Sequence, residues 1–212
     1  MFNIDELRDT FYYRKDTNSI GYTCIFDYEI QMKNYINKFN KNLCNLSSDI
    51  YEAYTDNLHI TLIGLNDNLF FYTKNIFDKL EKSISLTVVN YTLILEENGL
   101  VVLELALDEE SEKTLIKFRQ SLESYGIKYK HQNNIKKLHS VIGLFNYEKL
   151  NTLSLDSRNS LFKKTKECID TTTLFKENIT LKNKKVVRFE NKELKNAQQV
   201  DINYFSSNKD KE

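Results

Sequence analysis

The sequence predicts a protein of α+β class built on antiparallel sheet. Segments with strand patterns and helix patterns alternate along the 212 residues. A hairpin pattern interrupts this alternation, which favours antiparallel sheet over a doubly wound parallel fold. The apolar content of 41% is sufficient for a buried core. An apolar run centred on a histidine also occurs twice, which indicates an internal repeat.

The first half of the chain contains two strand patterns, each followed by a helix pattern. Aromatic and β-rich residues predict a strand over 21–26, and apolar residues at helical spacing predict a helix over 28–45. A continuous apolar run predicts a buried strand over 58–65, and helical spacing returns over 69–80.

The second half follows a similar order. Two strands are predicted over 84–96 and 100–107 around an Asn-Gly turn, followed by a helix over 108–125 with acidic residues in its first turn. Another buried strand is predicted over 138–145. The remaining predictions are a helix over 154–169, a hairpin over 177–189 and a polar tail from residue 191.

Composition excludes several classes of partner. Lys and Arg together number 30 and balance 30 Asp and Glu, so no global positive field exists to bind a long duplex nucleic acid. No run approaches the roughly 18 consecutive apolar residues of a membrane-spanning helix. The first residues are acidic and polar, unlike a secretory signal. We therefore expect a cytoplasmic protein with no membrane partner.

Motif content argues against cofactors and metal ions. The sequence has no proline and five glycines, and it contains no glycine-rich phosphate loop, dinucleotide fingerprint or zinc-protease motif. Its three cysteines are far apart and form no CxxC pair, which predicts free thiols rather than a disulfide framework or a zinc site.

Two of the three histidines lie in closely similar apolar runs. Residues 58–65 read LHITLIGL, and residues 138–144 read LHSVIGL. Because side chains at i and i+2 of a strand share a face, His59 and Thr61 are expected to project together. An imidazole beside a hydroxyl can hold a phosphate oxygen and transfer a proton. The structural alternative is a pair of core histidines satisfied by backbone hydrogen bonds.

These runs resemble the paired His-x-Thr/Ser motifs of the 2H phosphoesterase superfamily, which includes RNA 2′,3′-cyclic phosphodiesterases once named 2′–5′ RNA ligases. The resemblance implies two pseudo-symmetric lobes whose antiparallel-rich central sheets face a shared cleft, with the motif strands as inner strands. It implies that His59 and His139 are the catalytic pair and that Thr61 binds phosphate. It covers residues 20–190, leaving an N-terminal extension over 1–19 and a polar C-terminal tail over 191–212.

The second motif departs from the family pattern and leaves two strand registers open. Counted forward from His139, the hydroxyl position holds Val141; counted back from the Ile-Gly that ends both runs, Ser140 falls where Thr61 does. In a regular strand Ser140 points away from the cleft, whereas a β-bulge at Ser140 would turn its hydroxyl inward. The shared Leu-Ile-Gly frame favours the bulge and makes Ser140 the second substrate-binding residue.

The resemblance implies a metal-independent phosphodiesterase that needs no cofactor. One neutral imidazole would take a proton from water or a ribose hydroxyl while the other, protonated, donates to the leaving oxygen. The expected substrate is a small or terminal ribonucleotide: a 2′,3′-cyclic phosphate, a 2′–5′ linkage or a cyclic oligonucleotide. The alternative is a catalytically weak or inactive nucleotide- or RNA-binding module of the same fold.

Three further residues are assigned from their sequence context. His131, in KYKHQNN, has neither a hydroxyl partner nor a strand context and is expected at the surface. Tyr22 and Phe145 lie on strands near the motifs and are the first candidates for stacking on a base.

Overall fold

Antiparallel sheets and helices form the described part of the fold, which confirms the predicted α+β class. The computed structural model describes residues 21–47, 50–55, 58–65, 74–96, 98–127, 136–190 and 197–201. Its strands are β1 (Gly21–Asp27), β2 (Tyr51–Ala53), β3 (His59–Leu65), β4 (Leu86–Leu95), β5 (Leu100–Leu107), β6 (Leu138–Phe145), β7 (Ile179–Leu181), β8 (Lys184–Phe189) and β9 (Gln198–Gln199). Its helices are α1 (Ile30–Ser47), α2 (Lys74–Glu81), α3 (Glu109–Glu123), α4 (Tyr147–Asn151) and α5 (Leu155–Thr171).

The strands form two sheets. Sheet A has the order β3-β1-β8-β9, and sheet B has the order β2-β6-β5-β4-β7. Every strand pair in these sheets is antiparallel. One structural unit occurs twice: β1 leads through α1 to its partner β3, and β5 leads through α3 to its partner β6. Each unit therefore carries one histidine strand.

Local chemistry explains where the helices begin. Asp108 caps α3, because its side chain accepts a hydrogen bond from the Ser111 backbone N–H at 2.7 Å. Ser154 caps α5 in the same way through the N–H of Ser157.

Between β4 and β5, Gly99 has φ 85°, a left-handed conformation that glycine adopts without strain.

One large apolar core receives side chains from both sheets and from the helices packed on them, and a small second cluster forms around Ile25 and Val187 of sheet A. Burying each of its larger aliphatic side chains contributes about 1.5–3 kcal/mol. Fully buried examples are Cys24 and Phe26 of β1, Leu103 of β5, Ile36 and Leu43 of α1, and Leu115 and Leu122 of α3. The two units are consequently joined by a shared interior.

Two predictions about strand pairing are wrong. Residues 177–189 do not form a hairpin, because β7 pairs with β4 in sheet B whereas β8 pairs with β1 in sheet A. The histidine strand β3 is the outermost strand of sheet A rather than an inner strand. Its outer edge is nevertheless covered, since side chains from β6 and α3 donate hydrogen bonds to it.

Other predictions changed in detail. The helix predicted over 69–80 is observed over Lys74–Glu81, and its first predicted residues lie outside the described part of the chain. The short elements β2, α4 and β9 were not predicted. Tyr22 and Phe145 are buried in the core, which removes them as base-stacking candidates.

The three cysteines are free, as expected. No described helix is long and apolar enough to cross a membrane.

Candidate active site on the two histidine strands

Both histidine strands turn their imidazoles away from the core. In β3, Ile60 is fully buried while its neighbour His59 is half-buried. In β6, Ser140 is buried while its neighbour His139 is exposed. Because successive side chains of a strand point to opposite faces, each histidine lies on the face opposite the core. This placement argues against the alternative of two core histidines.

Each histidine strand contains one β-bulge at the same position. The extra residue is Leu62 in β3 and Ile142 in β6, as the shifts in pairing register show. Each lies three residues after the histidine of its strand. The bulges therefore align the two strands on His59 and His139, and not on the Ile-Gly that ends both runs.

This alignment makes Val141 the counterpart of Thr61 and corrects the prediction for Ser140. Thr61 and Val141 are both half-buried and share a face with the histidine of their own strand. Ser140 pairs regularly with Leu103, so the bulge predicted at Ser140 is wrong. The Ser140 side chain is directed to the face opposite His139 and is not presented beside Thr61 as a second substrate hydroxyl.

The Ser140 hydroxyl instead contacts the other histidine strand. It donates a hydrogen bond of 2.6 Å to the backbone carbonyl of His59. That carbonyl faces the outer edge of sheet A. Asp27 lies opposite His59 and donates its N–H to the carbonyl of Asn183, on the side of β1 away from β3, so this pair of residues is not hydrogen-bonded to each other.

The Ser140 hydroxyl also lies beside Tyr28. Burial raises the pKa of Tyr28 well above its usual range, and the adjacent Ser140 hydroxyl acts in the opposite direction.

This hydrogen bond limits how far apart the histidines can be. With standard covalent geometry, the Cα atoms of His59 and His139 are separated by at most about 11 Å, since Ser140 directly follows His139. Two imidazoles on backbones this close can contact one phosphate group.

The Arg119 guanidinium forms a second connection between the strands. Arg119 lies in α3 and is 1% exposed. Its Nε and one terminal nitrogen donate to the carbonyl of Leu62, at 3.1 and 3.0 Å. The other terminal nitrogen donates to the carbonyl of Lys137 at 3.2 Å. Leu62 belongs to the strand of His59 and Lys137 immediately precedes that of His139, so one buried cation contacts both.

A carboxylate lies opposite each histidine on the neighbouring strand. Asp27 of β1 is the register partner of His59, and Glu104 of β5 is the register partner of His139. Directly opposed side chains of an antiparallel pair share a face. The two carboxylates therefore lie on the face that carries the imidazoles.

Each carboxylate forms an ion pair with a lysine. Asp27 Oδ2 lies 2.6 Å from Lys185 Nζ, and Glu104 Oε2 lies 3.3 Å from Lys137 Nζ. These pairs are partly exposed and contribute little to stability, but they balance the charge beside the histidines. The sequence analysis missed both carboxylates, although Glu104 interrupts the apolar strand LVVLELAL and was a visible signal.

The last two sequence predictions concern His131 and metal binding. His131 lies outside the described residues. Among the residues that are described, no group of three or more His, Cys, Asp or Glu side chains is arranged to hold a metal ion.

Comparison with known proteins found similarity in solved structures alone. No family model matches the chain, and no curated protein matches it. Usb1 of Kluyveromyces marxianus, solved with uridine monophosphate, aligns with 87% of this chain and 99% of its own at 13% identity and a TM-score of 0.47. A second Usb1 structure from that organism covers 88% of this chain and all of its own at 13% identity and a TM-score of 0.48. A conserved protein of unknown function from Agrobacterium tumefaciens covers 85% of this chain and 84% of its own at 11% identity and a TM-score of 0.49. Similarity at this level assigns no activity to the chain.

Proposed function

We propose that this chain is a metal-independent phosphodiesterase acting on a small or terminal ribonucleotide, with His59 and His139 as general acid and general base. The observation that carries the proposal is the equivalent placement of the two histidines. They occupy the same position in two repeated strand-helix-strand units, they are turned away from the core, and a hydrogen bond joins their strands.

The proposed chemistry transfers two protons around one phosphorus atom. A neutral imidazole takes a proton from water as its oxygen bonds to phosphorus, and the imidazolium gives a proton to the ribose oxygen as its bond to phosphorus breaks. Histidine suits both roles because its unperturbed pKa, ~6.5, is close to neutral pH. Each transfer typically contributes about 10²- to 10⁴-fold in rate.

Thr61 is proposed to bind a non-bridging phosphate oxygen. It lies two residues after His59 on the same face of β3, so its hydroxyl can reach the phosphate that the imidazole contacts. A donor in this position stabilises the negative charge that develops on the phosphate oxygens in the transition state.

The charge on the face that carries His59 and His139, which we call the histidine face, favours a small substrate. Among the described residues, Lys137 and Lys185 are paired with Glu104 and Asp27, the carboxylates that lie opposite the histidines. The whole chain has a formal net charge of zero. Neutralising many phosphates of a long polyanion would need unpaired basic residues. A 2′,3′-cyclic phosphate, a 2′–5′-linked dinucleotide or a cyclic oligonucleotide requires far fewer.

The direct test is hydrolysis of these three substrate classes in EDTA by the full chain and its His59→Ala and His139→Ala variants. We expect turnover by the wild type and a loss of about 10²- to 10⁴-fold in each variant, with unchanged melting temperature because neither imidazole lies in the core. Thr92→Ala is the matched control, since Thr92 is exposed on β4 opposite Glu104. Equal activity in all variants, or turnover that disappears in EDTA and returns with a divalent ion, would refute the proposal.

The second candidate is a nucleotide- or RNA-binding module with little or no turnover. Val141 favours it, because this apolar side chain occupies the position equivalent to Thr61 and removes one phosphate donor. In that case the wild type binds a nucleotide without hydrolysing it, and the histidine substitutions weaken binding.

A further inference from the structure

We propose that Ser140 and Arg119 are positioning residues that set the spacing of the two imidazoles, an inference that rests on the proposed function. Neither residue is expected to touch substrate. They connect β3 to β6, two strands that belong to different sheets and are not ladder partners. We call these two connections the strand clamp.

The clamp is needed because no backbone ladder defines the offset between the histidine strands. Within sheet A the register of His59 is determined by β1, and within sheet B that of His139 is determined by β5. The position of one sheet relative to the other then depends on side-chain packing and on the clamp. Apolar packing is non-directional, whereas a hydrogen bond specifies a distance and an angle.

The two clamp contacts define one antiparallel register. Ser140 of β6 contacts the carbonyl of His59, and three residues further along β3 the Arg119 guanidinium joins Leu62 to Lys137, three residues back from Ser140. His139 therefore lies between the two contacts along the chain, and the carbonyl of His59 accepts one of them. Sliding β3 along β6 by one residue would break both contacts.

Burial makes these contacts hard to replace. Ser140 is 2% exposed and Arg119 is 1% exposed. If either donor is lost, the strands shift or a carbonyl of β3 loses its protein partner, and the Leu62 carbonyl that accepts from Arg119 is buried. General acid-base catalysis is sensitive to such shifts, since a displacement of about 1 Å can cost 10²-fold in rate.

The test compares Ser140→Ala with Thr23→Val in the full chain. Thr23 is the matched control because its buried hydroxyl also donates to a carbonyl of β3, that of Ile63 at 3.0 Å, but from β1 within sheet A. Both variants remove one hydrogen bond donated by a buried hydroxyl, so both should melt lower by about 2–4 °C. We expect kcat to fall about 10- to 100-fold in Ser140→Ala with KM nearly unchanged, and to stay at the wild-type value in Thr23→Val.

Arg119→Lys provides a second, independent variant. Lysine keeps the positive charge but cannot donate to the Leu62 and Lys137 carbonyls in the fixed geometry of a guanidinium. We expect a kcat loss at least as large as that of Ser140→Ala. Equal kcat values in Ser140→Ala, Arg119→Lys and Thr23→Val would overturn the proposal.

A second readout separates the clamp from the proposed function. NMR titration follows the imidazoles directly, and the chain has three histidines, so their signals are few. We expect the titration curves of both His59 and His139 to change in Ser140→Ala and to match the wild type in Thr23→Val. Absence of turnover in the wild type would refute the proposed function while leaving this test in place. Identical curves in Ser140→Ala and the wild type would refute the clamp.

Discussion

Asn40 and Arg119 occupy equivalent positions in the two halves of the molecule. Asn40 is the eleventh residue of α1, and Arg119 is the eleventh residue of α3. Both are 1% exposed. Arg119 donates to the carbonyl of the bulge residue Leu62, and Asn40 Nδ2 donates to the carbonyl of the bulge residue Ile142 at 2.9 Å.

Each helix therefore donates a hydrogen bond to the histidine strand of the other half. The helix that precedes the His59 strand satisfies the bulge of the His139 strand, and the helix that precedes the His139 strand satisfies the bulge of the His59 strand. A bulge leaves one carbonyl without a ladder partner, and a buried carbonyl needs a donor. Arg119 supplies such a donor to Leu62, and Asn40 adds a side-chain donor to the Ile142 carbonyl, which also accepts the Tyr54 backbone N–H at 2.9 Å. These contacts link each half to the other.

We therefore predict that replacing the Asn40 amide with a carboxylate of nearly the same shape destabilises the folded protein. In Asn40→Asp the side chain keeps its acceptor for the Tyr51 hydroxyl, loses the amide donor to the Ile142 and Tyr54 carbonyls, and gains a buried charge. We expect a loss of about 3–5 kcal/mol in the free energy of unfolding, measured by urea denaturation. Asn40→Ala should lose less, about 1–3 kcal/mol. A smaller loss for Asp than for Ala would contradict this account.

Val141 offers a gain-of-function test of the strand alignment. Because Val141 occupies the position equivalent to Thr61, Val141→Thr should add a second phosphate donor on the histidine face. Threonine is nearly isosteric with valine, and the position is half-buried, so the fold should accept it. We expect kcat to rise by up to about tenfold, less than the roughly 10²- to 10³-fold that the loss of an established transition-state donor costs. Measuring kcat for Val141→Ala beside it controls for the loss of the valine, and an increase in both variants would count against the alignment.

The cap of α3 should make stability depend on pH at the acidic end. The Ser111 hydroxyl, followed by the Ser111 backbone N–H, lowers the pKa of Asp108 below its usual value of 3.8. A group with a lowered folded-state pKa contributes stability that is complete above its unfolded pKa and is lost as pH falls through the folded pKa. We expect the wild type to melt above Asp108→Asn at pH 7 and the difference to shrink below about pH 4.

The control for this prediction is Asp170→Asn, an exposed substitution near the end of α5. Its melting temperature relative to the wild type should not show the same decline in acid. A difference between wild type and Asp108→Asn that is constant from pH 7 to pH 2 would show that the cap does not depend on the charge of Asp108.

The local pattern of the sequence was sufficient to locate the histidine strands. The strand predicted over 138–145 is observed as Leu138–Phe145, because apolar residues cover both faces of this strand except at His139 and Ser140. The strand predicted over 58–65 is likewise observed as His59–Leu65. Long apolar runs of this kind are the strongest local signal in a sequence.

Pairing between distant segments could not be predicted from the same pattern. Lys182 and Asn183 separate two β-type segments and resemble a hairpin turn, yet the segments pair with β4 and β1, about 90 and 160 residues earlier in the chain. The buried Arg119 was missed for a related reason. An arginine in an amphipathic helix normally indicates the solvent face, and its burial depends on carbonyls from two distant strands.

The most direct test of the central claim is the pH dependence of kcat/KM on a nucleoside 2′,3′-cyclic phosphate, measured in EDTA for the wild type, His59→Ala and His139→Ala. If the two histidines act as general acid and general base, the wild-type profile is bell-shaped with both limbs between about pH 5 and 8, and each variant loses one limb together with about 10²- to 10⁴-fold in rate. A profile that keeps both limbs after either substitution would contradict the assignment of catalysis to His59 and His139.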